Sequence, residues 1–354
     1  MLKSVITGSG HYLPERVIDG SYFNDAVFYD ENGNKIEKSN EEIVKKFVEI
    51  TEIERRRYVT DDLLNSDIGT KAAQQAIEEA GIDPETIDYV IAASNFGEVT
   101  QNGLANFMPS VSARIKSKLR IKNRKCINYD MIFGCPGWVE GMILANDLIQ
   151  AKRAKTILVV GTETLSRVVD IYDRDRLIFA DGAGAVILQA KENTEEGFIT
   201  SSTICDNDAE LDYLSNGCSL NPEVGPERLF IRMRGRKIYE YALKNVPDAI
   251  KDTISQAGLD IDDIDKILIH QANAKMDHAI IHRLFKLYGK EYREEIAPMT
   301  IQEFGNSSVA TVPTMYDLIK KDKMQGHSFK KGGYVAMASV GAGMNINCLI
   351  YKNE

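Results

Sequence analysis

The chain is predicted to fold as a duplicated α/β unit: two similar mixed sheets with helices between and outside them, in α/β/α/β/α layers about a pseudo-twofold axis. The first observation is internal repetition. Laid over itself at half its length, the sequence aligns Ala80-Gly81-Ile82-Asp83 and the apolar run 87–91 with Ala257-Gly258-Leu259-Asp260 and the run 264–268. Each copy reads as a helix end, a glycine cap, an Asp-rich turn and a buried strand. The same offset sets Pro136 on Pro313, each opening an apolar helix (138–148 and 315–319), and strand 156–161 on strand 334–338. The second is strand type: 157–160 and 183–188 are apolar at every residue, as strands covered on both faces are. The third is helix type, since 66–80 and 236–257 carry the 3.6 period on one side.

The remaining elements follow in chain order. Residues 1–8 read as a first strand rather than a secretory leader. Residues 22–40 form a surface insertion with a tight turn at Asp30-Glu31-Asn32-Gly33-Asn34. A first half then covers 1–190, a connection richer in Asn, Asp, Gly and Pro covers 191–228, and a second half covers 229–354. With 354 residues, 44% hydrophobic and 27% charged, the chain has material for a large core. No apolar run approaches the roughly 20 residues of a membrane span, which excludes a membrane protein and favours the cytoplasm. Five cysteines without CxxC spacing exclude a disulfide framework and a zinc site. No metal is expected. A net charge of −9 disfavours nucleic acid. The tract 114–125 holds seven Lys or Arg and is read as a surface feature without a partner.

Chemistry is expected at Cys135, in Gly134-Cys135-Pro136-Gly137-Trp138, where an apolar stretch meets a helical pattern. Unpaired N–H groups and the positive dipole end favour the thiolate, and Pro136 suits the first helical position. His270 ends the buried strand 266–269, at the strand end where α/β folds place their sites. The repeat puts Ala93 opposite it, so the scaffold itself does not require a histidine. Asn306 precedes the helix that matches the Cys135 helix, and the duplication therefore brings Asn306 and Cys135 to one axis from opposite halves. Cys, His and Asn without a carboxylate suit a thiol nucleophile with two hydrogen-bond donors for an enolate oxygen. The chemistry this suggests is carbon–carbon bond formation between thioesters.

Six motifs in order carry a resemblance over the whole chain from Ile6. They are Cys135-Pro136-Gly137-Trp138, Asp173-Arg174 with Phe179-Ala180-Asp181-Gly182-Ala183-Gly184-Ala185, Met233-Arg234-Gly235-Arg236-Lys237, His270-Gln271-Ala272-Asn273, Gly305-Asn306-Ser307-Ser308 and Gly341-Ala342-Gly343. On these the sequence resembles the β-ketoacyl-acyl-carrier-protein synthase III family of thiolase-fold condensing enzymes. The resemblance implies a fatty-acid initiation or related lipid or polyketide-type activity, with acyl carrier protein and an acyl thioester as partners and a homodimer as the assembly. It implies no cofactor, the substrates being carried on phosphopantetheine or coenzyme A.

By the same resemblance Cys135 takes the acyl group. His270 and Asn306 bind the thioester carbonyl of malonyl, or 3-oxoacyl, carrier protein, and backbone N–H groups of Cys135 and Ala342 form the oxyanion hole. Asn273, which equally suits a helix cap, Arg174, Met108 and Gly305 contact substrate, with Met108 reaching the pocket of the neighbouring subunit. Lys275, Arg283 and Lys286 dock the acidic carrier. Lys46 and Ile50 stand where priming members carry a Trp and an Arg that clamp coenzyme A, which implies a carrier-borne or longer acyl donor rather than acetyl-coenzyme A. Two other readings are an acyltransferase that passes the Cys135 acyl group to an alcohol or amine, and a carrier-binding scaffold without activity.

Overall fold

A computed structural model describes residues 2–353. The first sheet has the order Leu2–Tyr12, Asp181–Glu192, Thr156–Thr164, Tyr89–Ala93, Ile127–Met131. The second has Gly197–Cys205, Asn345–Lys352, Tyr334–Gly341, Ile264–Ile269. Directions agree strand by strand. The first two pairs of each sheet are antiparallel, and the third is parallel. The repeat seen in the sequence is thus two sheets of one topology, the first with an added edge strand, Ile127–Met131. Its local signature is also duplicated. Gly81 and Gly258 both take left-handed φ, 63° and 72°, and Asp83 and Asp260 each cap the following turn.

The helices Gly137–Gln150 and Thr311–Lys320 lie between the sheets. Trp138, Met142 and Ile149 of one and Met315, Tyr316 and Ile319 of the other share a core with Ile157 and Val159 of the first sheet and Val335 and Met337 of the second. Alternate residues serve the outer layers: Leu158 and Val160 pack on the helix Asn65–Ala80, while Ala336 and Ala338 pack on Gly235–Gln256 and Ala274–Leu287. Burial on both faces explains why these strands are apolar throughout. Pro136 is the cap of its helix rather than its first residue. Pro313 is the third residue of the helix Thr311–Lys320 rather than its opening. The stretch 191–228 also does more than connect, because Gly197–Cys205 within it pairs with Asn345–Lys352.

The insertion turns as expected, with Gly33 at φ 76° and Asp30 N–H bonded to the Asn34 carbonyl at 2.8 Å. It is anchored rather than free. Phe23 and Phe28 are buried with Ile18, Ile43, Tyr58 and Leu177, and Tyr29 donates to the Tyr172 carbonyl at 2.9 Å.

A polar knot ties the halves together beside the central helices. Asp317, fully buried, is contacted by His11 Nδ1 at 2.5 Å, Ser9 Oγ at 2.6 Å and Lys321 Nζ at 2.7 Å. Burial raises the carboxyl, but the bonds from His11, Lys321 and Ser9 outweigh it and set the pKa at about 2. A depressed carboxylate stabilises the fold above its unfolded pKa, 3.8, and loses that contribution as pH falls towards 2. Asp317→Asn is expected to cost about 2 kcal/mol at neutral pH and to flatten the loss of stability between pH 4 and 2. Urea midpoints measured across that range check this.

Candidate active site

Cys135 lies one residue before the Pro136 cap of the helix Gly137–Gln150, after Gly134 at φ 74°. It is half-buried and lines a cavity of about 170 Å³ with Asn95, Phe96, Ile132, Leu165, Phe179, Ile231, Ser308 and Ala342 among others. His270 follows the strand Ile264–Ile269, its N–H bonded to the Ala338 carbonyl at 2.8 Å. Asn306 is held by the other half: its N–H bonds the Ile178 carbonyl at 2.9 Å and its carbonyl accepts from Ala180 at 2.8 Å. Both side chains are buried. Gly305 before it has φ 69°, and a Cβ there would stand 2.7 Å from Cβ of Arg56, so the turn into Asn306 requires glycine.

Ser308 joins the three. Its N–H donates to Asn306 Oδ1 at 2.8 Å, its backbone pulls the pKa of the His270 imidazole up, and its side chain, in the cavity that Cys135 also lines, draws the thiol's pKa down. It does this at φ 53°, an uncommon conformation for a residue with a side chain. Asn306 thus bonds a residue that also bears on the acidity of Cys135 and of His270, although neither His270 nor Asn306 lines the cavity itself.

The electrostatics correct two expectations. Burial pushes the Cys135 thiol up to about 11, while the Ser308 bond draws it down and the Glu163 carboxyl pushes it up. The resting group is a thiol, not the thiolate expected from the helix start alone. A carboxylate also belongs to the surroundings, contrary to the reading without one. Glu163 ends the buried strand Thr156–Thr164 and accepts from Asn95 Nδ2 at 2.9 Å and from the Asn95 backbone N–H. Burial holds its pKa well above the ordinary range, which favours the neutral acid. Burial likewise lowers His270 from 6.5 to about 4, against the pull of the Ser308 backbone. The imidazole is neutral at pH 7, and its buried Nδ1 has no partner among the described residues.

The turn at 341–343 packs directly on the nucleophile. A Cβ on Gly341 would stand 2.6 Å from the Cys135 nitrogen, so glycine is required there for contact and not for its dihedrals. Gly343 takes φ 73°. Ala342, between them, faces the cavity.

Arg174 opens the turn Arg174–Leu177 and lines a second cavity of about 570 Å³ with Arg232, Arg234 and Tyr29 to Asn32 of the insertion. Ser215 and Asn216 line both cavities, so the two adjoin there. Arg232 is spent on Asp170 at 2.7 Å and on Asp173. Asn273 caps the helix Ala274–Leu287 by accepting from Met276 N–H at 3.1 Å. Lys275, Arg283 and Lys286 are exposed on that helix. Met108 is 85% exposed and does not line the Cys135 cavity of its own chain. Lys46 and Ile50 are exposed on the helix Asn40–Thr51.

Sequence reasoning missed Glu163 and Asn95, and it quoted Ser308 without a role. A Glu in a strand buried at every position was the available signal.

Two mixed sheets of one topology, with a cysteine at the start of one central helix and a His and an Asn brought in from the second half, define a condensing enzyme of the thiolase fold. The 3-oxoacyl-[acyl-carrier-protein (ACP)] synthase III family matches residues 129–207, and its C-terminal counterpart matches 254–353. The chain is 30% identical over 350 residues to the β-ketoacyl-[acyl-carrier-protein] synthase III of Paracoccus denitrificans, covering 97% of each. It is 31% identical over 354 residues to that of Ehrlichia canis, covering 99% of each. The structure of the β-ketoacyl-[acyl carrier protein] synthase III of Thermus thermophilus superposes with a TM-score of 0.81 at 26% identity, over 99% of both chains. The chain belongs to the β-ketoacyl-[acyl-carrier-protein] synthase III family and is a condensing acyltransferase.

Proposed function

We propose that the protein catalyses a Claisen condensation between an acyl group held on Cys135 and malonyl acyl carrier protein with loss of carbon dioxide, or 3-oxoacyl acyl carrier protein with loss of a C2 proton instead, giving a 3-oxoacyl thioester. The observation that carries this reading is Ser308, which bonds Asn306 and bears on the acidity of Cys135 and His270, at a largely apolar cavity lined by Cys135. Cys135 attacks the donor thioester, and the donor thiol leaves with the proton. The malonyl thioester then enters, and its carbonyl oxygen takes hydrogen bonds from the neutral His270 and from Asn306. Carbon dioxide departs, and the electron pair it leaves forms the enolate these donors stabilise. The enolate carbon attacks acyl-Cys135, the oxyanion lies at the backbone N–H groups of Cys135 and Ala342, and its collapse breaks the C–S bond, the Cys135 thiolate taking a proton from solvent to return to the thiol. A neutral Glu163 and a neutral His270 give water no strong base, which favours condensation over hydrolysis.

The two cavities that share Ser215 and Asn216, one of them reaching Arg174, suit a phosphopantetheine arm, and the family likeness assigns Asn273 and Gly305, which line neither, to substrate contact. The exposed Lys275, Arg283 and Lys286 suit an acidic carrier protein. Lys46 and Ile50 in place of a nucleotide clamp favour a carrier-borne or longer acyl donor. Fatty-acid initiation, or a related lipid or polyketide-type pathway in the cytoplasm, is the setting that fits these partners. Incubation with acyl donors and malonyl carrier protein, followed by intact mass and carbon dioxide release, tests this reading. An acyl adduct with no carbon dioxide would leave the transferase that uses an alcohol or amine acceptor.

A second copy of the chain is the assembly this reading requires. Among the described residues the strand Ile127–Met131 is an edge with no partner on one side, and Ile127, Tyr129 and Ile132 are exposed, as are Leu104, Phe107 and Met108. An apolar open edge of this kind invites pairing, and pairing would carry Met108 towards the partner's cavity. Tyr129→Lys is expected to shift the protein from dimer to monomer in sedimentation equilibrium.

A further inference from the structure

Behind Ser308 stands a pair of residues that neither the motifs nor the proposed steps employ. Asn95 Nδ2 donates to Ser308 Oγ at 2.8 Å and to Glu163 Oε1 at 2.9 Å, and the same Glu163 oxygen accepts the Asn95 backbone N–H. Both amide hydrogens of Asn95 are therefore assigned, and the amide is locked with its donor side towards Ser308. A hydroxyl has one proton. With Asn95 donating into its oxygen, the Ser308 O–H is left to point away from the amide; Cys135 lines the same cavity as Ser308, and the Ser308 side chain draws the thiol's pKa down.

We propose that Glu163 and Asn95 are positioning residues that hold the Ser308 hydroxyl as a hydrogen-bond donor to the Cys135 sulfur, and so set how readily the buried thiol becomes the attacking thiolate. The physical need is plain. Enclosure by the two halves works against a charged sulfur, and a donor aimed at it stabilises the anion more than the thiol. Asn95 serves because it can only donate through Nδ2. Glu163 serves because its oxygen accepts two N–H groups from one residue, which fixes both backbone and side chain of Asn95. The proposal rests on Cys135 being the nucleophile, but its test does not use acyl transfer.

The test is alkylation of the whole protein by iodoacetamide between pH 6 and 11, followed at Cys135 by peptide mass so that exposed Cys205 and Cys218 do not interfere. Ser308→Ala removes the donor, and the rate at pH 8 is expected to fall roughly ten- to a hundredfold, the range for one hydrogen bond to a charged atom, with the apparent thiol pKa moved up. Asn95→Leu is expected to move both in the same direction. The double variant should be no worse than Ser308→Ala, because Asn95 acts through Ser308. Glu163→Leu should follow Asn95→Leu, and Glu163→Gln, which keeps an acceptor oxygen, should recover most of the rate. Thermal midpoints within a few degrees of the parent certify each variant. Effects of Asn95→Leu and Ser308→Ala that add fully, or an Asn95→Leu profile superimposed on the parent's, would overturn the proposal. Continued acylation of Cys135→Ala would overturn the nucleophile assignment instead.

Discussion

Cys135→Ala is expected to gain no acyl mass when incubated with an acyl thioester, where the parent gains one adduct. Of the other thiols, Cys126 and Cys348 are buried and Cys205 and Cys218 lie at the surface, so none replaces it beside the cavity. Condensation should fall by roughly 10⁴-fold or more, the scale seen when a nucleophile is removed. Carbon dioxide release from malonyl carrier protein should persist, because the groups assigned to that step, His270 and Asn306, remain in place. Mass spectrometry of the intact protein and a carbon dioxide assay on the same samples separate the two half-reactions. An adduct that survives the substitution and maps elsewhere would remove the nucleophile from the scheme.

His270→Ala should give the converse result. Self-acylation stays within a few-fold of the parent, and decarboxylation drops by roughly 10²–10³, as expected for one donor lost to a developing oxyanion. The pH profile tests the same assignment independently. Burial lowers the imidazole to about 4, so the neutral donor dominates above that value. Decarboxylation by the parent should then be flat from pH 5 to 8 and decline only as pH falls through about 4. A profile that titrates near 6.5 would mean a solvated histidine in another role. Loss of acylation with decarboxylation spared would reverse the roles of Cys135 and His270.

Much of the architecture was legible because duplication writes itself into spacing. A glycine that must be left-handed, an Asp that caps the next turn and a strand buried on both faces are local demands. They recur at Gly81 and Gly258, Asp83 and Asp260, Tyr89–Ala93 and Ile264–Ile269. The helix starts at Pro136 and Pro313 were displaced by one or two residues, since proline is tolerated at several positions of a first turn. The strand Gly197–Cys205 was hidden in a polar stretch because only its first residues are buried.

The site divides in the same way. That Cys135, His270 and Asn306 belong to the ends of elements meeting at one axis follows from the repeat, because symmetry of a duplicated unit is a property of order along the chain. The acidity of the sulfur does not follow from order. A helix start predicts a thiolate, but desolvation sums over every atom that surrounds the group, and here the loop at Asn95, the residues Leu165 and Phe179, the turn at Ser308 and Ala342 line its cavity. No spacing encodes that sum. Ser308 likewise acquires its part only when folding sets its backbone at φ 53° and brings Asn95 to its hydroxyl. Local rules along the chain thus settled which elements form and where the reactive types sit. The enclosure created when the halves close settled which protonation state each one holds, because electrostatic energies depend on distance through space.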